Sequence, residues 1–131
     1  MDTEALFDQF KAFHKTQSLS DSQNHFIKDG VNNPDLFGKQ KTKILFIAKE
    51  HNYIGLPDDQ SYACDYRVWS KQGIYLRFAH RLSEWAYGLM NNFPPYEQLT
   101  NKNKHEALQS ITFINVKKAS GSASANPEHI C

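Results

Sequence analysis

Residues 43–55 read KILFIAKEHNYIG. Ile44, Leu45, Phe46 and Ile47 form an unbroken apolar run too short for a helix and without the alternation of a half-buried strand. A continuous run of this kind is the pattern of a strand covered on both faces, which belongs to parallel sheets. Lys49, Glu50, His51, Asn52 and Tyr53 then follow almost without a break. In open parallel sheets ligands sit beyond the carboxyl ends of the strands, where loops converge, so this abrupt switch marks a place for chemistry.

The rest of the chain supplies partners for such a strand. Over residues 4–15, Leu6, Phe7, Phe10 and Phe13 recur at helical spacing, which predicts an amphipathic helix with the aromatic stripe inward. Residues 16–42 are mostly polar, with Asp29 and Gly30 and then Asn33 and Pro34 as turn signals, and read as a long connection holding at most a helical turn. A polar loop is expected over residues 50–71. Phe78, Leu82, Trp85, Ala86 and Leu89 then set the register of a second helix, with Trp85 in the core, and Asn91, Asn92, Pro94 and Pro95 stop it. A short helix over residues 103–109 leads into Ile111, Phe113, Ile114 and Val116, a second strand interrupted at Asn115. The order is a helix followed by a βαβ unit. The last twelve residues, SGSASANPEHIC, have turn composition.

Composition narrows the classes. The 131 residues are 40% hydrophobic, which fits one globular domain over residues 1–131 with a single modest core. Fifteen Lys and Arg against fourteen Asp and Glu leave a formal net charge of +1, so no global field draws in an anionic polymer, and a nucleic acid needs a local patch. Cys64 and Cys131 match no metal-ligand spacing, and neither a metal nor a cofactor is called for. The opening MDTEALFDQF has acids where a signal peptide has bases, and no apolar run approaches the roughly eighteen residues of a membrane span. The expected setting is reducing and cytoplasmic, without a membrane partner.

Both strand ends carry polar residues at one edge: Lys49, Glu50, His51 and Asn52 after the first, and Asn115, Lys117, Lys118, Ser120, Gly121, Ser122 and Asn126 after the second. In AKEHNY and in ITFINVKKASGSASANPEH the chain resembles the uracil-DNA glycosylase superfamily, in its N-terminal portion, over roughly residues 40–130. The first stretch resembles that family's water-activating motif. The second resembles the segment in which a strand ends in Asn and is followed by a small polar loop with its own Asn and His. Where the best-known glycosylases have Gly, Gln, Asp, Pro, Tyr and His, this chain has Ala48, Lys49, Glu50, His51, Asn52 and Tyr53. The resemblance implies a three-layer α/β/α fold with a parallel sheet core flanked by helices, incomplete at its C-terminus because the family's further strands and leaving-group His come later. A partner or oligomer is then expected to cover the exposed sheet edges, and the chain as given is expected to be a poorly active unit.

The implied activity is hydrolysis of a base–sugar bond in DNA, with uracil or a related base released. Such cleavage passes through an oxocarbenium-like sugar, so a carboxylate beside C1′ orients water and stabilises positive charge while donors hold the departing base. Glu50 takes that role. Asn115, with His51 and Asn52, binds the flipped base, and Tyr66 is one of three rings, with Tyr62 and Trp69, for stacking on it. Lys117, Lys118, Ser120 and Ser122 are the phosphate contacts. Each has an ordinary alternative: Glu50 as a loop carboxylate, Asn115 as a structural amide, the two lysines as a solvated strand end, and His51 and His129 as solvated imidazoles. A non-catalytic nucleotide or nucleic-acid binding module, or an inactive truncated member of the family, are the other readings of the same residues.

Overall fold

The predicted first helix forms as α1 (Thr3–Thr16). The computed structural model describes residues 2–16, 26–49, 51–52, 64–74, 77–116, 118 and 120–121. After α1 come β1 (Ile27–Lys28), β2 (Gly30–Val31), α2 (Pro34–Lys39), β3 (Leu45–Ala48), β4 (His51–Asn52) and β5 (Cys64–Asp65). They are followed by α3 (Tyr66–Gln72), α4 (Arg77–Met90), a 3-10 turn (Tyr96–Gln98), α5 (Asn101–Gln109), β6 (Thr112–Asn115) and β7 (Ser120–Gly121). The fold is mixed α/β, with a small three-stranded mixed sheet and five α-helices among the described residues.

In that sheet β6 is central and the order is β2-β6-β3. Thr112 N donates to Ile44 O at 2.9 Å and Val116 N donates to Ala48 O at 2.8 Å. Both residue numbers advance by four between the two bonds, so β3 and β6 run parallel, as the two apolar runs predict. The polar connection before them corrects the all-parallel expectation: it supplies β2, which pairs antiparallel with β6, Gly30 opposite Phe113 and Val31 opposite Thr112. Gly30 sits at φ 128°, a left-handed backbone open to glycine at no steric cost. Within the polar loop expected over residues 50–71, the described residues form β4, β5 and most of α3, while residues 50 and 53–63 lie outside the described residues.

A second correction concerns β3. As an edge strand it leaves Leu45 and Ile47, two residues apart and so on one face, 52% and 64% exposed. The continuous run reflected apolar content, while coverage depends on what packs against each face.

The chain divides into two compact units, Met1–Lys28 with Ile47–Asp65 and Asn115–Cys131, and Asp29–Phe46 with Tyr66–Ile114. Within the first, α1 is anchored by Phe7, which meets the ring of Phe26 edge-on at 5.8 Å, and by the Lys28 ammonium on Glu4 at 2.5 Å. Phe10 and Phe13 of the predicted inward stripe are exposed, whereas Phe7 is buried.

Most of the buried residues among those described lie in the second unit. Here α4 buries Ala79, Leu82, Ser83 and Ala86, spaced i, i+3, i+4 and i+7, and α5 buries Ala107 and Leu108 beside Ile111. Small residues on the buried face let the two helices approach closely, and the Ser83 hydroxyl is satisfied by His80 O at 2.8 Å. The larger residues of the predicted register turn outward: Phe78, Trp85 and Leu89 are exposed, so Trp85 is not a core residue. A period of 3.6 fits either stripe, which is why spacing alone picked the bulkier one.

Asn33 caps α2, its Oδ1 accepting from Asp35 N and Leu36 N, and Lys43 closes the other end on Phe37 O and Gly38 O. Across α4 and α5 the half-buried carboxylate of Glu84 accepts from Lys104 at 2.7 Å and Arg81 at 3.0 Å. The Lys104 hydrogen bond, against the opposing cost of burial, holds the Glu84 carboxyl below its ordinary range. The same bond pushes the Lys104 ammonium above its own.

Candidate functional site

The two polar strand ends converge, and the backbone shows how. Beyond the Val116–Ala48 bond, β4 and β7 pair in parallel, with His51 opposite Ser120 and Asn52 opposite Gly121. Two residues, 49 and 50, separate β3 from β4, whereas four, 116–119, separate β6 from β7.

A third segment joins them. Ile27 N donates to Lys118 O at 2.7 Å, and β1 pairs in parallel with β5, Ile27 opposite Cys64 and Lys28 opposite Asp65. These backbone bonds gather β1, β4, β5 and β7 within the first unit. Ile27 is fully buried there. Nothing in the sequence singled out this segment, since Phe26 and Ile27 are only a two-residue apolar signal in a polar stretch.

Of the predicted site residues, Asn115 is the last residue of β6, 2% exposed. A buried amide offers a donor and an acceptor that must both be met inside the protein. His51, Asn52 and Ser120 are placed by their strand pairing. Lys118 is buried at 8% exposure, in contrast to a solvated strand end. Lys49, just before the short link closes, is exposed. Tyr66 stands apart from these in the second unit, at the start of α3. It is buried, with the rings of Phe113 and Trp69 at 4.8 Å and 5.4 Å. Glu50, Lys117, Ser122 and Tyr62, with Asn126 and His129, lie outside the described residues.

Among the described residues no group of three or more His, Cys, Asp or Glu is arranged to hold a metal ion, and no helix is long and apolar enough to cross a membrane. No family model, curated protein or solved structure matches the chain.

Proposed function

We propose that the chain is a uracil-DNA glycosylase-like N-glycosylase that hydrolyses a base–sugar bond in DNA in a cytoplasmic setting, on a three-layer α/β/α fold with a parallel core. The observation that supports this reading is the parallel pairing of His51 and Asn52 with Ser120 and Gly121. It brings the backbones of the two polar loops, one on each side of the proposed reaction, alongside each other at the ends of parallel strands.

In this reading Glu50 orients a water toward C1′ and its charge stabilises the oxocarbenium-like sugar. The water's oxygen bonds to C1′ as the base–sugar bond breaks, the bond's electron pair leaves with the base, and the proton the water sheds passes to the Glu50 carboxylate and then neutralises the base anion. Asn115 holds the pairing edge of the extruded base, with His51 and Asn52 beside it. Lys117, Lys118, Ser120 and Ser122 contact the strand's phosphates.

The experiment is base release from uracil-containing single- and double-stranded oligonucleotides by the 131-residue chain and by Glu50→Gln. Turnover that the substitution abolishes supports the proposal, and turnover that survives it removes Glu50 from the mechanism. A second reading, a non-catalytic nucleotide or nucleic-acid binding module, is favoured by the near-complete burial of Asn115, which suits an amide bracing its own loop. Saturable binding without base release selects that one.

A further inference from the structure

A cleft of about 230 Å³ opens on the second unit, between the outer stripe of α4 and the turn that follows it. Its floor is Arg81, Glu84, Trp85 and Gly88, and its far wall is Phe93, Pro94 and Tyr96. Trp85, Phe93 and Tyr96 are 55%, 65% and 64% exposed. Tyr96 is held by its hydroxyl on Glu84 and by Lys104 over its ring, and Phe93 by Gly88, yet all three rings keep more than half their surface open around one cleft.

The far wall is also strained. Asn92 and Phe93 have φ of 57° and 49°, and for a bulky residue such as Phe93 that backbone is an outlier. Phe93 N donates to Gly88 O at 2.8 Å, which holds the turn closed. A Cβ at Gly88 would stand 2.5 Å from two atoms of the Phe93 ring, so only glycine there lets the ring lie against α4. Strain that seats a ring over buried Gly88 and leaves that ring open at a cleft edge is the pattern of a preformed binding wall.

The polar groups choose among occupants. Both Glu84 oxygens already accept, from Lys104 and Tyr96 on one and Arg81 on the other. The Tyr87 hydroxyl accepts from Asn103 Nδ2, which leaves its proton to donate. Arg81, its side chain 71% exposed, retains further N–H donors. The Arg81 and Glu84 charges that line the cleft balance, and Lys104, its side chain 9% exposed, does not line it. The cleft therefore presents ring faces and N–H and O–H donors, with its carboxylate occupied, to whatever enters. Its volume is below the roughly 300–1,000 Å³ of pockets that enclose a drug-sized ligand, so it takes one ring system.

The geometry points to a nucleotide-binding site here: a base stacks among Trp85, Phe93 and Tyr96 while its phosphate pairs with Arg81. The inference is independent of the glycosylase reading, since none of the residues it uses belongs to the proposed glycosylase site.

Calorimetric titration of the whole chain with thymidine, thymidine 5′-monophosphate and a ten-residue oligothymidylate tests it, beside Trp85→Leu and Arg81→Gln. Both side chains are exposed, and circular dichroism verifies that the variants fold. Saturable binding of the phosphorylated probes is expected, weakened roughly five- to hundredfold by Trp85→Leu. Arg81→Gln should remove the preference for the monophosphate over thymidine and reduce the oligonucleotide's log–log salt slope by about 0.7. Monophosphate and oligonucleotide binding equally well identifies a free nucleotide as the occupant, and a large gain with the oligonucleotide identifies a single strand. Absence of binding, or binding indifferent to both substitutions, overturns the proposal. So does a proline-rich decapeptide that saturates the chain in a Trp85-dependent way where the nucleotides do not.

Discussion

Among the described residues the two units show different constructions. One rests on α4 and α5, with a buried small-residue face, a capped α2 and a helix-to-helix ion pair whose acceptors are filled. The described residues of the other show two-residue strands, the Ile27 bond to Lys118 and the Phe7–Phe26 ring pair at α1. Among those residues, side-chain packing is prominent in the former and backbone bonding between short segments in the latter. Stability is unevenly spread in most proteins, with binding loops drawn from the weaker end. The contrast separates a scaffold from a place where polar loops meet.

The largest expected effect that tests this contrast is in the scaffold. Leu108 is fully buried on α5, and Leu108→Ala should cost about 2–5 kcal/mol in urea unfolding. A loss below ~1 kcal/mol would mean that the helical unit is no better packed than the strand ends.

Next is the ion pair. Glu84→Gln leaves Lys104 buried without its charged partner and should cost roughly 2 kcal/mol. Because the folded carboxyl is held below its unfolded value, its contribution is present above that unfolded value and is lost as pH falls through the folded one. Lys104, raised when folded, contributes fully below the ordinary lysine range and loses that contribution as pH rises through its folded value. Acid unfolding curves of Glu84→Gln should thus be flatter than those of the parent in the carboxylate range. Parallel curves would show the pair to be idle.

A smaller effect is expected at the α2 cap, where Asn33→Ala should cost about 1 kcal/mol by removing the acceptor for Asp35 N and Leu36 N. The mildest test perturbs nothing. In native-state hydrogen exchange, amides of α4 and α5 should open only with global unfolding, whereas Ile27 N and Val116 N should exchange through smaller local openings. Equal protection in both places would dissolve the distinction between the units.

Much of this architecture was legible beforehand. Phe78 to Leu89 marked α4, and the two apolar runs marked parallel β3 and β6. Asn115, the polar break in the second run, is where β6 ends. What escaped was contextual. Gly30 and Val31 are too few to register as a strand, and they pair only because Phe113 and Thr112 face them. Ile44 to Ile47 described composition correctly and coverage incorrectly, since an edge position is a property of neighbours. The helical spacing of Phe78, Leu82, Trp85 and Leu89 points Trp85 at the core, whereas close helix packing selects alanine and serine instead. For the site, the strand-end polarity was readable, but the pairing of β4 with β7 and the entry of Ile27 were not, because two-residue strands carry no period.

Gly88 and Phe93 bear on how this chain can drift. A methyl group at position 88 improves helix propensity yet collides with the ring at position 93, so the two sites are not free to vary separately. Gly88→Ala alone should be harmful, and Phe93→Gly should turn the same replacement neutral or beneficial by clearing the ring and relaxing the left-handed turn. Such sign epistasis gives a lineage that keeps the aromatic ring little reason to accept any side chain at position 88, and makes loss of the ring hard to reverse once an alanine has settled there.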